Sequence, residues 1–309
     1  MMAMRSIAVV NEKGGSGKTT TAVNLAAALG ERDRRVLVVD LDPQASASKW
    51  YGVKEPRGRD LLDVLPDDGL DLTPIVRPTD APGVYIVPSS HRLIHIDKAL
   101  ARQIGAEVLL RSKLHALQTF LEQEQNIVPL DAYWGELERD RVSFDSEQEA
   151  AEHYIKRIGE LQRMVSPFDY IIIDCPPALG ILTVNALAAA QAVLIPVEAH
   201  AICLNDLDAL TGVIETVKAR LQPSLRIAGI LACRVNRTRH ATAAVEQLNQ
   251  RFPGLVCRTT IRENVSLAKC PSHGIPITQY ATNSSGAQDY RALAEEVIGN
   301  NESEDANDG

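Results

Sequence analysis

The chain of 309 residues is poor in the residues that several kinds of chemistry require. Its five cysteines (Cys175, Cys203, Cys233, Cys257 and Cys270) are odd in number and widely spaced, with no C-x-x-C pair. That excludes the usual zinc, iron–sulfur and dithiol redox frameworks and leaves small core residues in a reducing compartment. No apolar run is long enough to cross a bilayer: the nearest, Ile181 to Val197, is interrupted by Asn185, Gln191 and Pro196. Met1 leads through Arg5 straight into a strand pattern without signal-peptide architecture, so a cytoplasmic location is expected. Basic charge is in deficit, 32 residues against 40 acidic ones, giving a net charge of −8 that on its face argues against a nucleic-acid partner. What is present is an ordinary globular balance, 45% hydrophobic and 23% charged, which excludes disordered, collagen-like and coiled-coil descriptions of the whole chain.

Short runs rich in Val and Ile recur at Ile7–Val10, Arg35–Val39, Val84–Val87, Tyr170–Ile173, Ala192–Val197 and Ile227–Leu231. Continuous runs of this kind suit strands buried on both faces. Between them, helical patterns fall at Thr19–Leu29 (closed by Gly30), Leu204–Leu221, Ala241–Phe252 and Ala287–Ile298. The alternation predicts an α/β fold, a mostly parallel central sheet with helices on both faces, and ligands at the carboxyl ends of the strands. One domain is expected over residues 1–300. The segment 122–160 breaks the rhythm, with eleven acidic residues against four basic ones and no convincing buried strand. Its second half predicts an amphipathic helix, because Ser146 and Glu149 have capping-box spacing ahead of Ala151, Tyr154, Ile155, Ile158 and Leu161. Residues 301–309 are polar and acidic and predict a disordered tail.

After the first strand comes Asn11-Glu12-Lys13-Gly14-Gly15-Ser16-Gly17-Lys18-Thr19-Thr20, followed at once by a helix. Strand, glycine-rich turn and helix N-terminus aim backbone N–H groups and a positive dipole end at a polyanion. Lys18 is placed for the β- and γ-phosphates, the Thr19 hydroxyl for Mg²⁺ and Thr20 for the α-phosphate. The usual P-loop has a glycine where Glu12 stands, so the loop is a variant marked by the extra Lys13. A lysine five residues before the P-loop lysine is hard to aim at its own nucleotide, and is better placed for a neighbouring subunit's.

These residues resemble the ParA family of partition ATPases, within the deviant Walker A group of P-loop proteins. Most relatives carry Val where this chain has Ser16. The resemblance implies an ATP-sandwich homodimer in which Lys13 crosses to the partner's phosphates. The second strand ends in Asp40-Leu41-Asp42-Pro43-Gln44. A period of two would send Asp40 and Asp42 to one side near the phosphate loop, although an Asp-Pro turn explains the same residues. The motif resembles the family's first switch, which implies that Asp42 orients the attacking water. Tyr170 to Asp174 is a buried strand ending in a carboxylate, the Walker B arrangement, in which Asp174 would hold Mg²⁺ through a water. With Cys175-Pro176-Pro177 and Leu179-Gly180 behind it, it resembles the second switch, and Cys175 is a packing residue. The resemblance further implies that Asn236 hydrogen-bonds the adenine. It extends over Arg5 to about Arg111 and Ser166 to Gly299, including Thr260–Val265 and Pro271–Ile277.

From Thr211 to Ile275 ten basic residues face only Glu215, Glu246 and Glu263, a net of +7. Clustered Arg and Lys can give salt-dependent, sequence-independent DNA binding, or can be solvated helix faces. Candidates for DNA contact are Arg220, Arg237, Arg239, Arg258, Arg262 and Lys269. The implied function is a slow ATPase switch that binds DNA non-specifically and, with a ParB-type partner, moves a plasmid or chromosome. The same loop also serves ATPases that position protein cargo or division machinery, and small-molecule kinases and synthetases. The acidic end, Glu302 to Asp308, disfavours the membrane-binding type, and a small-molecule enzyme would leave Lys13 without a clear task. The segment 122–160 carries −7 and the tail −4, so the rest of the chain is positive, at +3.

Overall fold

The apolar side chains of the strands sort by parity into two clusters, and those clusters are the two faces of one sheet. Ala8, Leu37, Val39, Ile171, Ile173, Val193 and Ile195 point to one side, while Ile7, Val9, Val36, Val38, Ile172 and Leu194 point to the other. A strand whose successive side chains must both leave water sits inside a two-sided core, where each buried Val or Ile contributes about 1.5–3 kcal/mol. The computed structural model describes residues 4–53, 59–124, 167–200 and 204–305.

Seven strands form the sheet: β1 (Arg5–Val9), β2 (Val36–Asp40), β3 (Arg77–Pro78), β4 (Val84–Val87), β5 (Tyr170–Asp174), β6 (Ala192–Glu198) and β7 (Arg226–Cys233), in the order β3-β4-β2-β5-β1-β6-β7. All pairings are parallel except β3 with β4. The helices are α1 (Lys18–Gly30), α2 (Ser46–Trp50), α3 (Leu61–Val64), α4 (Ile96–Leu100), α5 (Leu109–Glu124), α6 (Ile181–Ala189), α7 (Leu204–Arg220), α8 (Arg239–Arg251), α9 (Val265–His273), α10 (Ile277–Tyr280) and α11 (Ser285–Asp305). Helices α5, α6, α7 and α8 cover the first face, and α1 and α11 cover the second. The expected α/β architecture is therefore present.

Gly30 ends α1 for a packing reason: a Cβ there would run into the Pro82 carbonyl. The interrupted apolar stretch from Ile181 resolves into helix α6 and strand β6. No helix among the described residues is long and apolar enough to cross a membrane. Two expectations change. The edge strand β3, only two residues with a proline, was not signalled by any apolar run. Helix α11 continues to Asp305, so the tail of 301–309 is helical over 301–305 rather than disordered there. Most of the acidic segment 122–160, including its predicted amphipathic helix, lies outside the described residues, and α5 ends within it at Glu124.

β1 lies between β5 and β6, and the chain leaves it to reach β2 on the far side of β5. The crevice at the carboxyl ends of β1, β2 and β5 is the switch point where a ligand is expected.

Candidate active site

The loop from Asn11 to Gly17 is shaped by glycines where a side chain would not fit the backbone. Gly15 has φ 78° and Gly17 φ 98°, left-handed values that cost other residues strain. Gly17 is the N-cap of α1 and offers no side-chain cap, so the helix starts with its N–H groups open to the loop. Asn11 pins the other end: its Nδ2 donates to the Pro196 carbonyl at 2.7 Å, and its Oδ1 accepts from the Lys13 N–H at 2.9 Å. The buried Lys18 ammonium lies in the concavity and donates to the Lys13 carbonyl at 3.1 Å. Burial lowers its pKa, with Asp174 foremost among the groups opposing that shift. Lys13 itself is on the exposed rim with Glu12, Gly14 and Gly15.

Two carboxylates stand side by side behind the loop, since Asp40 of β2 is the register partner of Asp174 of β5. Both are fully buried. Neither Asp174 oxygen meets a hydrogen-bond partner at ordinary geometry among the described residues. Burial, then the neighbouring Asp40 charge, pushes its pKa well above the carboxylate range, and the facing Thr19 hydroxyl offsets part of the rise. A buried acid with both oxygens orphaned is costly alone, and it suits a hydrated divalent cation placed between it and the Thr19 hydroxyl. The residues fit Mg²⁺.

Asp40 is employed differently. One oxygen accepts from the Asp42 N–H at 3.1 Å, and the other from the Ser48 N–H at 2.9 Å and the Ser48 hydroxyl at 2.7 Å. The Ser48 hydroxyl in turn accepts from the Ser89 N–H at 3.0 Å. Asp40 thus caps α2 from a distance and fixes the loop that carries Asp42, with its own pKa raised to about 6, chiefly by burial. The strand ends at Asp40, so the two-residue period that placed both aspartates on one side does not govern Asp42. Asp42 is half-buried, and its Oδ1 accepts from the Gln44 N–H at 2.9 Å. Its charge, like that of Asp174, acts on Lys18. Cys175 is buried and its thiol is pushed well above its ordinary range by that burial, consistent with packing.

A cavity of about 380 Å³ extends from Gly15, Ser16, Gly17 and Thr20 to a wall made by the ends of β7 and the segment before α9, including Arg234, Glu263 and Val265. Asn236 is not part of its lining. Its Oδ1 accepts from the Thr238 N–H at 3.2 Å and the Thr238 hydroxyl at 2.6 Å, and Thr238 caps α8. Those contacts hold the Asn236 amide at the start of α8, the geometry of a turn-forming Asn. Ser48 carries no sequence signal of its own, and the wall segment 261–265 stands out in the sequence only as part of the family resemblance.

The basic stretch also changes when acids from elsewhere are included. Arg262 is held by Asp289 at 2.6 Å and Arg234 by Glu198 at 2.8 Å. Arg251 pairs with Asp208 at 2.8 Å, and Arg258 lies 3.8 Å from Glu296. All four acids fall outside the counted stretch 211–275, so a net of +7 overstates its free charge. Arg220, Arg237, Arg239 and Lys269 are exposed and form no ion pair among the described residues.

A variant phosphate loop after β1 of a mostly parallel seven-stranded sheet, with an aspartate at the end of each of the paired strands β2 and β5, defines a P-loop ATPase of the ParA/MinD type. A family model, the CobQ/CobB/MinD/ParA nucleotide binding domain, matches residues 7–277, and the chain belongs to that family. It is 37% identical to the chromosome-partitioning ATPase Soj of Thermus thermophilus over 96% of each chain. It is 34% identical to the sporulation initiation inhibitor protein Soj of Bacillus subtilis, covering 95% of this chain and 98% of that one. Among solved structures it resembles a cobyrinic acid a,c-diamide synthase from Mycobacterium smegmatis with bound ATP analog and magnesium, with TM-score 0.71 and 26% identity over 95% of this chain and 93% of the other.

Proposed function

We propose that the chain is a partition ATPase: a single domain carrying the acidic insertion at 122–160, which dimerises on ATP, binds DNA without sequence preference, and is driven through its cycle by a ParB-type partner. The observation that carries the reading is the orphaned Asp174 carboxyl beside Lys18 and Thr19, combined with full-length similarity to Soj ATPases.

The loop N–H groups and Lys18 bind the phosphates. Gly14 through Gly17 shape the cradle, and Thr20 contacts the α-phosphate. Thr19 and, through a water, Asp174 would hold Mg²⁺, which when bound would neutralise charge on the phosphates. Asp42, on its loop braced by Asp40, orients the attacking water. Lys13 reaches across the dimer and completes the charge stabilisation that a single subunit lacks, which makes hydrolysis slow and dependent on assembly. Arg220, Arg237, Arg239 and Lys269 supply the DNA contacts, while Arg258 and Arg262 serve chiefly to hold Glu296 and Asp289. The protein then works in the cytoplasm on the nucleoid.

The test is ATP-dependent retention of the protein on duplex DNA of unrelated sequences. Retention with ATP–Mg²⁺ but not with ADP, weakening steeply as salt rises, is expected. A monomer that ignores DNA and turns over a metabolite would overturn the reading in favour of a small-molecule synthetase.

A further inference from the structure

Three residues separate Asp42 from helix α2, which is five residues long and too short to hold its place by its own hydrogen bonds. The far end of α2 is fastened: the Trp50 indole N–H donates to the Ile275 carbonyl at 3.0 Å, and the Tyr51 hydroxyl to the Val23 carbonyl at 2.9 Å. The near end starts from Ala45, a buried residue at φ 52° and ψ 42° with no side-chain cap. The left-handed region strains a residue with a Cβ, and alanine has no polar group to bond the local backbone there, as Asn or Asp would. Such a conformation persists only where its surroundings enforce it.

Ala45 and Asp42 move together, because the Ala45 N–H donates to the Asp42 carbonyl at 2.8 Å and the intervening Gln44 N–H to Asp42 Oδ1 at 2.9 Å. Relaxation of Ala45 is opposed by the buried Ser48. Its N–H and its hydroxyl both donate to Asp40, and the hydroxyl accepts from the Ser89 N–H. One hydroxyl thus ties the start of α2 to the carboxyl ends of the paired strands β2 and β4. We propose that Ser48 is a positioning residue for hydrolysis: its hydroxyl, between Asp40 and the Ser89 N–H, keeps Ala45 left-handed and thereby holds the Asp42 carboxylate at its working position beside the phosphate loop.

The inference rests on the reading of Asp42 as the residue that orients the attacking water, and Asp42→Ala is its control. Ser48→Ala is expected to lower kcat about tenfold while ATP affinity stays within about twofold, because the phosphate cradle is untouched. Adding Ala45→Gly is expected to return kcat to within about threefold of wild type, since glycine takes the left-handed region without strain. Alone, Ala45→Gly is expected to raise the urea midpoint of the nucleotide-free protein. An unchanged kcat in Ser48→Ala, or an ATP affinity that falls in step with kcat, overturns the inference. So does a double variant as slow as Ser48→Ala, or a midpoint that Ala45→Gly leaves unchanged or lowers. If Ser48→Ala does not fold, Ser48→Cys, a weaker donor and acceptor, carries the same comparison. An Asp42→Ala protein that hydrolyses ATP at the wild-type rate overturns the reading of Asp42 itself, and the inference with it.

Discussion

At the phosphate end of the cavity, each group comes from a stretch in which neighbouring residues state their own geometry: glycines at φ 78° and 98°, then the helix start with Lys18 and Thr19, and an aspartate closing each of two adjacent strands. At the opposite end the wall is assembled from Arg234 and residues of the segment 261–268, and its two arginines are paired with Glu198 and Asp289 from other elements. The first end is built by backbone conformation and register, the second by tertiary pairing of side chains. The comparison teaches that charge counted along a segment says little about charge presented on a surface.

The largest effect should separate the two ends in kinetics. Asp42→Ala removes the carboxylate proposed to orient the water and leaves the cradle, so hydrolysis should fall by about a hundredfold or more while ATP affinity stays within a few-fold, read by phosphate release and equilibrium binding. Loss of binding in that variant would mean that Asp42 belongs to the cradle.

The buried acid pair makes the phosphate end pH-sensitive. Asp40 has its folded pKa raised from 3.8 to about 6, so it holds its proton more tightly folded than unfolded. Its contribution is therefore present below about pH 4 and lost as the pH rises through 6. In metal-free protein the urea midpoint of Asp40→Asn should fall less than that of wild type between pH 4 and 6.5. Parallel curves would show that Asp40 is not the titrating group.

A third experiment sharpens the contrast at the other end. Arg237→Ala with Arg239→Ala should reduce the salt dependence of DNA binding by about two unit slopes and leave stability within about 0.5 kcal/mol. Arg262→Ala should do the reverse, keeping the slope and costing about 1–2 kcal/mol because nearly buried Asp289 loses its partner. The smallest effect concerns Ser16, whose buried hydroxyl has no hydrogen-bond partner among the described residues. Ser16→Val should keep ATP binding and raise stability by about 1 kcal/mol, measured by denaturant midpoint.

The same division explains what could be read in advance. Six of the seven strands were legible as Val- and Ile-rich runs because burial on both faces leaves no polar alternation to confuse. The phosphate loop, Asp42 and Asp174 were legible because each lies where a strand meets its following turn. The capping of α2 by Asp40 through Ser48 was not, because a serine in a short helix carries no mark of a partner eight residues earlier. Asn236 is ambiguous for a related cause: an Asn after a strand fits a base contact and a turn equally well, and its contacts with Thr238 show the turn. The pairing of Arg262 with Asp289 spans 27 residues and has no local pattern at all.

The central claim is that Lys13 acts across a dimer while Lys18 acts on the phosphates within its own subunit. The direct measurement is light-scattering mass with ATP–Mg²⁺ for wild type, Lys13→Ala and Lys18→Ala, alongside ATP binding. Wild type should dimerise, Lys13→Ala should bind ATP yet remain a monomer, and Lys18→Ala should lose binding by about a hundredfold or more. A Lys13→Ala protein that dimerises on ATP as wild type does would contradict the account.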